Sequence, residues 1–586
     1  MIEPLIDIRN LSVPLPRGAD RAFAVEDLSL TLNRGEILCV VGETGSGKSL
    51  TALSLMGLLP TNLPRPGGEI LFEGRDLLRL PRRERLRLSG RRLAMVFQEP
   101  IAALNPIYRV GAQVSEVFRL HTDLKRDEIR EKVLDLFREV RLPDPESILR
   151  AYPHQLSGGQ CQRVMIATAL ALDPALLIAD EPTTALDVTT QAQILKLMLD
   201  LRSTHGTGIL FITHDFGVVA EIADRVAVMR HGKLVEIGTR DAVLNDPQAD
   251  YTRQLIAAVP RLAPKTTAAV LGEPVLRAEG LSKTYKTRTL IGASREVQAL
   301  KGVDVTLRRG ETLGLVGESG SGKSTLAQCV IRLVEPDGGE VVIDNGAFTG
   351  LTGNALRHAR RKVQIVFQDP YTALDPRHAV GDAIAEGPII HGLPREQAQA
   401  RALDLIEAVG LERSAARRFP HEFSGGQRQR ICIARALAVQ PDLLIADESV
   451  SALDVSVQAQ ILDLLAQMQK DLQFGLLFIT HDLRVASRIC DRIAVMQRGE
   501  IVEQGPAGEL FANPRNAYTR ELLSAVPGRD WQDRPSQGPR SARAPRQLRM
   551  PCLTASVKWR SRPLAISATA ALSAARCARL PPSPAR

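Results

Sequence analysis

The chain has 586 residues, 44% hydrophobic and 24% charged, a balance that builds folded cores and excludes disorder over most of the length. Residues 529–586 carry twelve Lys and Arg against Asp530 and Asp533, a net +10; taken from the chain's +9 this leaves −1 for residues 1–528, so the basic character belongs to a tail and not to the folded body. No run approaches roughly 18 consecutive apolar residues, the length that would span a bilayer.

In chain order, Met1–Asn10 holds Glu3, Asp7 and a single basic residue, Arg9, which does not read as a secretory signal and predicts a cytosolic chain. Ile37-Leu-Cys-Val-Val41 predicts a short buried strand ending in glycine, and Leu50–Leu59 a helix behind it. Val96-Phe97 closes another strand-like stretch. Residues from about 105 to 155 carry helical spacing, as at Ile129, Val133, Leu136 and Val140, and predict an inserted helical subdomain. Leu176–Ala179 and Ile209–Ile212 are further buried-strand runs, with helical Gln191–Leu201 between them. Alternating strand and helix predicts an α/β fold with a parallel sheet covered on both faces. Cys39, Cys161, Cys329, Cys432, Cys490, Cys552 and Cys577 form no CxxC pair or zinc spacing and read as buried or incidental thiols.

Much of the chain occurs twice. Leu156-Ser-Gly-Gly-Gln160 returns as Phe423-Ser-Gly-Gly-Gln427, Asp180-Glu181 as Asp447-Glu448, Thr213-His-Asp215 as Thr480-His-Asp482 and Tyr251-Thr-Arg253 as Tyr518-Thr-Arg520, all offset by 267. Gly42–Ser49 returns as Gly317–Ser324, offset by 275. A period this long excludes a solenoid and implies two copies of one domain. The reading is a first domain over 1–260, a Pro/Thr/Ala/Gly linker over 261–274, a second domain over 275–528, and an Arg/Pro/Ser/Ala-rich tail over 529–586 that reads as disordered. A membrane-surface tether and an uninformative extension both stay open for the tail.

The repeated segments carry chemistry. Gly42, Glu43, Thr44, Gly45, Ser46, Gly47, Lys48 and Ser49, and again Gly317, Glu318, Ser319, Gly320, Ser321, Gly322, Lys323 and Ser324, fit the G-x4-G-K-[ST] phosphate loop, each after a predicted strand and opening a helix at Leu50 or Thr325. Glycines let backbone N–H groups wrap phosphates, Lys48 and Lys323 reach the β- and γ-phosphates, and Ser49 and Ser324 ligate Mg²⁺. Asp180 and Asp447, at strand ends, suit the Mg²⁺-holding position, and Glu181 and Glu448 are placed to orient or deprotonate an attacking water. Gln98 and Gln368, after strand-like ends, can meet the metal or the water. His214 and His481, repeated in register, can steady the γ-phosphate and the carboxylate. Ser157, Gly158, Gly159 and Gln160, with Ser424, Gly425, Gly426 and Gln427, place a hydroxyl and two glycines before a helix, a phosphate clamp. Two copies arranged head-to-tail would each lend a clamp to the other's nucleotide.

Together these residues resemble an ATP-binding-cassette ATPase twice over, across about 2–260 and 275–528. The resemblance implies RecA-like parallel-sheet cores, each with an antiparallel β-subdomain and the helical insert. It implies two ATP sites with Mg²⁺, Lys48 facing Ser424 and Lys323 facing Ser157, and loops at Asp187 and Asp454 crossing between the halves. Tyr285 matches the family's adenine-stacking aromatic; the first copy has Leu15 there, with Phe23 nearby. The stretches Phe97–Pro106 and Phe367–Pro376, Tyr152-Pro-His154 and Phe419-Pro-His421, and Tyr251–Pro260 with its echo at Tyr518–Pro527 are similar to di- and oligopeptide importer ATPases, and a fused pair to the glutathione importer's ATPase. The implied partners are two integral-membrane permease subunits and, indirectly, an extracytoplasmic solute-binding protein, at the cytoplasmic face of the inner membrane; no nucleic acid is expected. A soluble double-cassette ATPase acting on ribosomes or nucleic acid is the alternative. It would want a long charged linker, which residues 261–274 do not supply. No cysteine cluster follows the Tyr-Thr-Arg segments, so no iron–sulfur site is implied.

Overall fold

Ile37–Val41 is a strand in which every residue is buried. Its side chains alternate between two cores: Leu38 and Val40 face one layer, Ile37, Cys39 and Val41 the other. Leu176–Asp180 and Gly208–Ile212 divide in the same way, with Leu176, Ile178, Leu210 and Ile212 in the first layer and Leu177, Ala179, Ile209 and Phe211 in the second. A strand apolar on both faces belongs in the middle of a covered parallel sheet, and that is its place here.

In this computed structural model the described residues are 3–183, 186–262, 272–287, 295–451 and 453–532. Residues 1–535 form one compact unit. The tail reading beyond 532, with Cys552 and Cys577, lies outside the described residues. The central sheet of the first half has six strands in the order Lys233–Thr239, Arg225–Arg230, Ile37–Val41, Gly208–Ile212, Leu176–Asp180, Leu93–Val96. Five are parallel, as expected; Lys233–Thr239 pairs antiparallel with its neighbour. The reversal comes from a tight hairpin at His231-Gly232, both at positive φ (49° and 85°), a turn that matches strand twist. The second half repeats the order with Glu500–Pro506, Arg492–Gln497, Thr312–Val316, Gly475–Thr480, Leu443–Asp447 and Val363–Val366.

Each half adds a four-stranded antiparallel sheet, over 6–76 and 274–347, whose apolar face closes the first core layer. Helices cover the other face. The predicted helical insert is present as Val110–His121, Arg126–Glu139 and Pro145–Arg150, with Ile129, Val133 and Val140 buried and Leu136 half-buried. The helix expected over 50–59 is Lys48–Met56, stopped by Gly57 in the left-handed region (φ 68°). The one expected over 191–201 runs from Val188 to His205, because Asp187 caps its start and Gly206 (φ 64°) its end. Among the described residues, Cys39, Cys161, Cys329, Cys432 and Cys490 are buried and form no disulfide. No described helix is long and apolar enough to cross a membrane.

The halves pack through reciprocal elements. Helix Asp250–Ala258 of the first half lies against Val455–Leu472 of the second, and Ala517–Ser524 lies against Val188–His205. Val455 enters the first half's core and Val188 the second's.

Candidate functional site

The chemistry-bearing residues gather at the C-terminal ends of the parallel strands, where an open α/β sheet leaves its crevice. Gly42 leaves Ile37–Val41 at φ 150°, and a Cβ there would lie 2.1 Å from the Met229 carbonyl oxygen; Gly317 stands likewise 2.2 Å from that of Met496. Only glycine fits either position. Lys48 Nζ donates to the carbonyls of Gly42 (2.7 Å) and Glu43 (3.0 Å), and Lys323 Nζ to those of Gly317 and Glu318 (2.8 Å each). Burial lowers both lysine pKa values, opposed by surrounding carboxylates including Glu181 and Glu448. The loop thus concentrates a buried cation and inward-turning backbone at the start of helices Lys48–Met56 and Lys323–Val330.

Ser49 Oγ donates to Asp180 Oδ1 and Ser324 Oγ to Asp447 Oδ1, at 3.2 Å in each half. Burial raises the pKa of both aspartates. The next residue leaves the strand in the left-handed region: φ is 47° at Glu181 and 45° at Glu448. A non-glycine residue pays roughly 1–3 kcal/mol for that conformation, which turns the carboxylate from the strand toward the crevice mouth. There Glu181 accepts from Gln98 Nε2 (2.9 Å) and lies 3.2 Å from His214 Nδ1. Glu448 accepts from Gln368 Nε2 (2.9 Å) and lies 3.6 Å from His481 Nδ1. Burial pushes each imidazole pKa down, but hydrogen bonding to its glutamate and the nearby negative charge outweigh it, so both lie above the ordinary histidine value. The glutamines meet the glutamates through their amide N–H groups.

In the second half a cleft of ≈ 660 Å³ brings together Tyr285, Ser319, Gly320, Gly322, Lys323, Ser324, Thr325, Gln368, Glu448 and His481, with Asp187 arriving from the first half. Tyr285 is 39% exposed at its wall, free to present a ring face. Leu15, its counterpart, packs against the first half's core. Ser157 and Ser424 stand at the N-termini of helices Gly158–Leu170 and Gly425–Leu437. Each hydroxyl accepts from its own Gln160 or Gln427 N–H at 3.3 Å, and each glutamine accepts back from the serine N–H, a reciprocal cap. Ser157 is not among the residues lining the ≈ 660 Å³ cleft.

The crossing loops do join the halves. Asp454 Oδ1 accepts from Thr44 N–H (2.9 Å) and Thr44 Oγ1 (3.0 Å), and Ser456 Oγ donates to Glu43 Oε1 (2.7 Å). In the opposite direction Thr189 donates to Glu318, while Asp187 caps its own helix by accepting from Thr190 N–H (2.9 Å). Thr184, Ala185 and Ala452 of these loops lie outside the described residues.

Four contacts escaped the sequence reading. Tyr251 Oη accepts from the Glu43 N–H (3.3 Å) and Tyr518 Oη from the Glu318 N–H (3.0 Å), so each C-terminal helix holds its own phosphate loop. Burial pushes both phenols up to about 12, so they stay protonated at neutral pH. Arg428 lies over the Tyr371 ring (3.5 Å), where the first half has Cys161 and Ile101, so the halves differ at both members of the contact. Arg484 of the second half pairs with Asp215 of the first, a position the in-register comparison marks because Gly217 stands at the equivalent place.

A family model described as "ABC transporter" matches residues 25–184 and again 300–451, over half of the chain. The chain belongs to the ABC transporter family. It is a tandem pair of nucleotide-binding ATPase cassettes coupled to transport, and the Asp454–Thr44, Ser456–Glu43, Thr189–Glu318 and Arg484–Asp215 contacts join its cassettes. A second model, "Oligopeptide/dipeptide transporter, C-terminal region", matches 235–289 and 502–552, the segments that carry Tyr251 and Tyr518. The chain is 48% identical to the glutathione import ATP-binding protein GsiA of Escherichia coli (strain K12) over 562 residues, covering 89% of each. It is 46% identical to the peptidoglycan transport ATP-binding protein YejF of Agrobacterium fabrum over 530 residues, 89% of this chain and 96% of that one. A solved dimeric ATP-binding cassette, MJ0796, bound to ADP and Pi is 32% identical over 40% of this chain and 98% of its own, with a TM-score of 0.36.

Proposed function

We propose that this chain is the motor of a peptide importer: it binds two ATP between or beside its cassettes, hydrolyses them, and drives di-/oligopeptides or a glutathione-like tripeptide through partner permeases. The carrying observation is that the peptide-transporter C-terminal region, present in both cassettes, reaches the phosphate loop through Tyr251 and Tyr518. The nucleotide and its acceptor water are worked on by this chain's own residues. Backbone N–H groups of Gly42–Ser49 and Gly317–Ser324, with Lys48 and Lys323, hold the phosphates. Glu181 and Glu448 orient the water and take its proton, and His214 and His481 hold each glutamate and the γ-phosphate. Tyr285 stacks on adenine in the second cassette. Ser157–Gln160 and Ser424–Gln427 are the clamps that close on the opposite cassette's ATP.

Mg²⁺ fits the donor set. Ser49, Asp180 and Gln98, or Ser324, Asp447 and Gln368, offer hard oxygen ligands around a buried carboxylate, which suits a small divalent cation that keeps water and phosphate oxygens in its shell. When bound there it neutralises phosphate charge. The partners of this reading are two integral-membrane permease subunits, with a solute-binding protein outside the membrane, and the chain works at the cytoplasmic face of the inner membrane.

The test is uptake of labelled peptide into vesicles holding the co-expressed permeases, with ATP supplied on the side of this chain. Uptake is expected with the wild type and is lost in Glu181→Gln/Glu448→Gln. Co-purification with ribosomes in place of permeases, or uptake indifferent to both glutamates, overturns the proposal.

A further inference from the structure

Each cassette carries a His-Asp pair just beyond its fourth parallel strand in chain order: His214-Asp215 after Gly208–Ile212, and His481-Asp482 after Gly475–Thr480. The histidines turn toward Glu181 and Glu448. The aspartates meet a single guanidinium. Arg484 Nη1 and Nη2 donate to the two carboxylate oxygens of Asp215 at 2.9 and 2.7 Å, a bidentate pair across the cassette boundary. The same side chain reaches Asp482 of its own cassette through Nε and Nη2 at 3.3 Å, and its backbone N–H donates to Asp482 Oδ1 at 2.8 Å. The arginine side chain is only 8% exposed.

The arrangement exists once. The place that Arg484 holds in the second cassette is held in the first by Gly217, and a Cβ there would lie 2.4 Å from Arg484 Nη1 and 2.5 Å from the Pro527 carbonyl oxygen. The duplicated positions thus hold one arginine and one glycine, and the packing leaves no room for a side chain at the glycine. Asp215 is itself fixed: it accepts from the Gly217 N–H (2.7 Å) and its own N–H donates to Thr213 Oγ1 (3.0 Å). Asp482 repeats both contacts with Arg484 N–H and Thr480 Oγ1. A continuous run of contacts therefore joins Glu181, His214 and Asp215 to Arg484, and Arg484 to Asp482, His481 and Glu448.

We propose that Arg484 is a positioning residue shared by both hydrolytic centres: one cation, contributed by one cassette, sets the two histidine loops against each other and couples turnover at the two sites. Arg484 is not among the residues lining the ≈ 660 Å³ cleft. Without the arginine two half-buried carboxylates converge with no guanidinium between the loops, and both histidines lose their registration on the glutamates. The inference rests on placing Glu181, His214, Glu448 and His481 in the hydrolytic sites, and that assignment has its own readout: Glu181→Gln/Glu448→Gln, with Arg484 intact, must abolish turnover.

The experiment measures ATP turnover of the full-length chain for Arg484→Ala, Arg484→Lys and Asp215→Asn, in the wild type and with Glu181→Gln or Glu448→Gln. Arg484→Ala and Asp215→Asn are expected to lower kcat about ten-fold at either remaining site, with KM changed less than about two-fold, and Arg484→Lys to fall between. Melting temperature, followed in parallel, separates this from a clamp that only holds the cassettes together: lower Tm with unchanged kcat well below Tm overturns the proposal. So does a kcat loss confined to the second cassette's site. If one glutamine variant alone silences both sites, the pair Arg484→Ala and Asp215→Asn is combined in the wild type, where a double loss equal to the single ones supports coupling and a multiplied loss overturns it.

Discussion

Thr44 donates both its backbone N–H and its hydroxyl to one oxygen of Asp454, which lies 410 positions away in the other cassette. Asp187, the matching residue, instead accepts from Thr190 N–H in its own helix, and the single Thr189 hydroxyl lies within reach of both Asp187 and, across the boundary, Glu318. The two phosphate loops are thus held differently from outside. Asp454→Ala removes hydrogen bonds to a charged acceptor, worth about 1.5–3 kcal/mol, and is expected to weaken nucleotide binding at the Lys48 site by about ten-fold or more. Asp187→Ala removes a helix cap, worth about 0.5–2 kcal/mol, and is expected to lower Tm more than it lowers affinity at the Lys323 site. Site-resolved ATP titration with thermal melts checks both.

The tyrosines of the C-terminal helices each give the phosphate loop one acceptor. Tyr251→Phe and Tyr518→Phe leave a loop N–H without its partner and keep the ring. A single hydrogen bond of about 0.5–1.5 kcal/mol predicts an ATP affinity two- to ten-fold weaker at the site concerned, by calorimetry. An equal loss at the other site is not expected.

Tyr285 and Leu15 separate the two sites by their nucleobase ends. Tyr285→Ala removes a face of the ≈ 660 Å³ cleft and is expected to weaken ATP at the Lys323 site by about 1–3 kcal/mol, the worth of one base–aromatic stack. Leu15→Ala, packed against the core, is expected to lower Tm and leave affinity within about two-fold. Fluorescent-nucleotide titration against Tm distinguishes the two effects.

Burial is the largest influence on Asp215 and would raise its pKa; the charge and hydrogen bonds of Arg484, with the Gly217 N–H, outweigh it and hold the carboxyl below the ordinary aspartate value. A folded-state pKa below the unfolded one contributes stability that is complete above the unfolded value of about 3.9 and is lost as pH falls through the folded value. The Tm gap between wild type and Asp215→Asn is therefore expected to shrink as pH falls below about 4; between pH 8 and 5 it follows His214, whose charged form Asp215 favours, and grows as that imidazole protonates. A gap that stays undiminished below the ordinary aspartate value contradicts this.

The parallel strands were legible because they are apolar on both faces: Ile37–Val41 matches residue for residue, and Leu176 and Ile209 fall within one residue of strand starts. Helix ends were less so, since periodicity in Leu50–Leu59 continues past Gly57, whose left-handed backbone stops the helix. The edge hairpin of Arg225–Thr239 was missed because Lys233–Thr239 is half-exposed and its pattern is mixed. Among functional residues, those within a local motif were found by spacing. Tyr251 was singled out as a signature, yet its contact with Glu43 spans 208 positions and no local pattern encodes it. Gly217 against Arg484 was readable from the aligned halves, but its meaning needed the packing that puts Asp215 beside the guanidinium.

Because Gly217 is vacant where Arg484 is filled, neither cassette is a fit partner for a second copy of itself. A self-pair of the first would set Asp215 against Asp215 with no cation between them; a self-pair of the second would force two guanidiniums into space that only a glycine leaves. The difference at this one position favours the heterologous pairing, and a single polypeptide supplies both of its members in equal number.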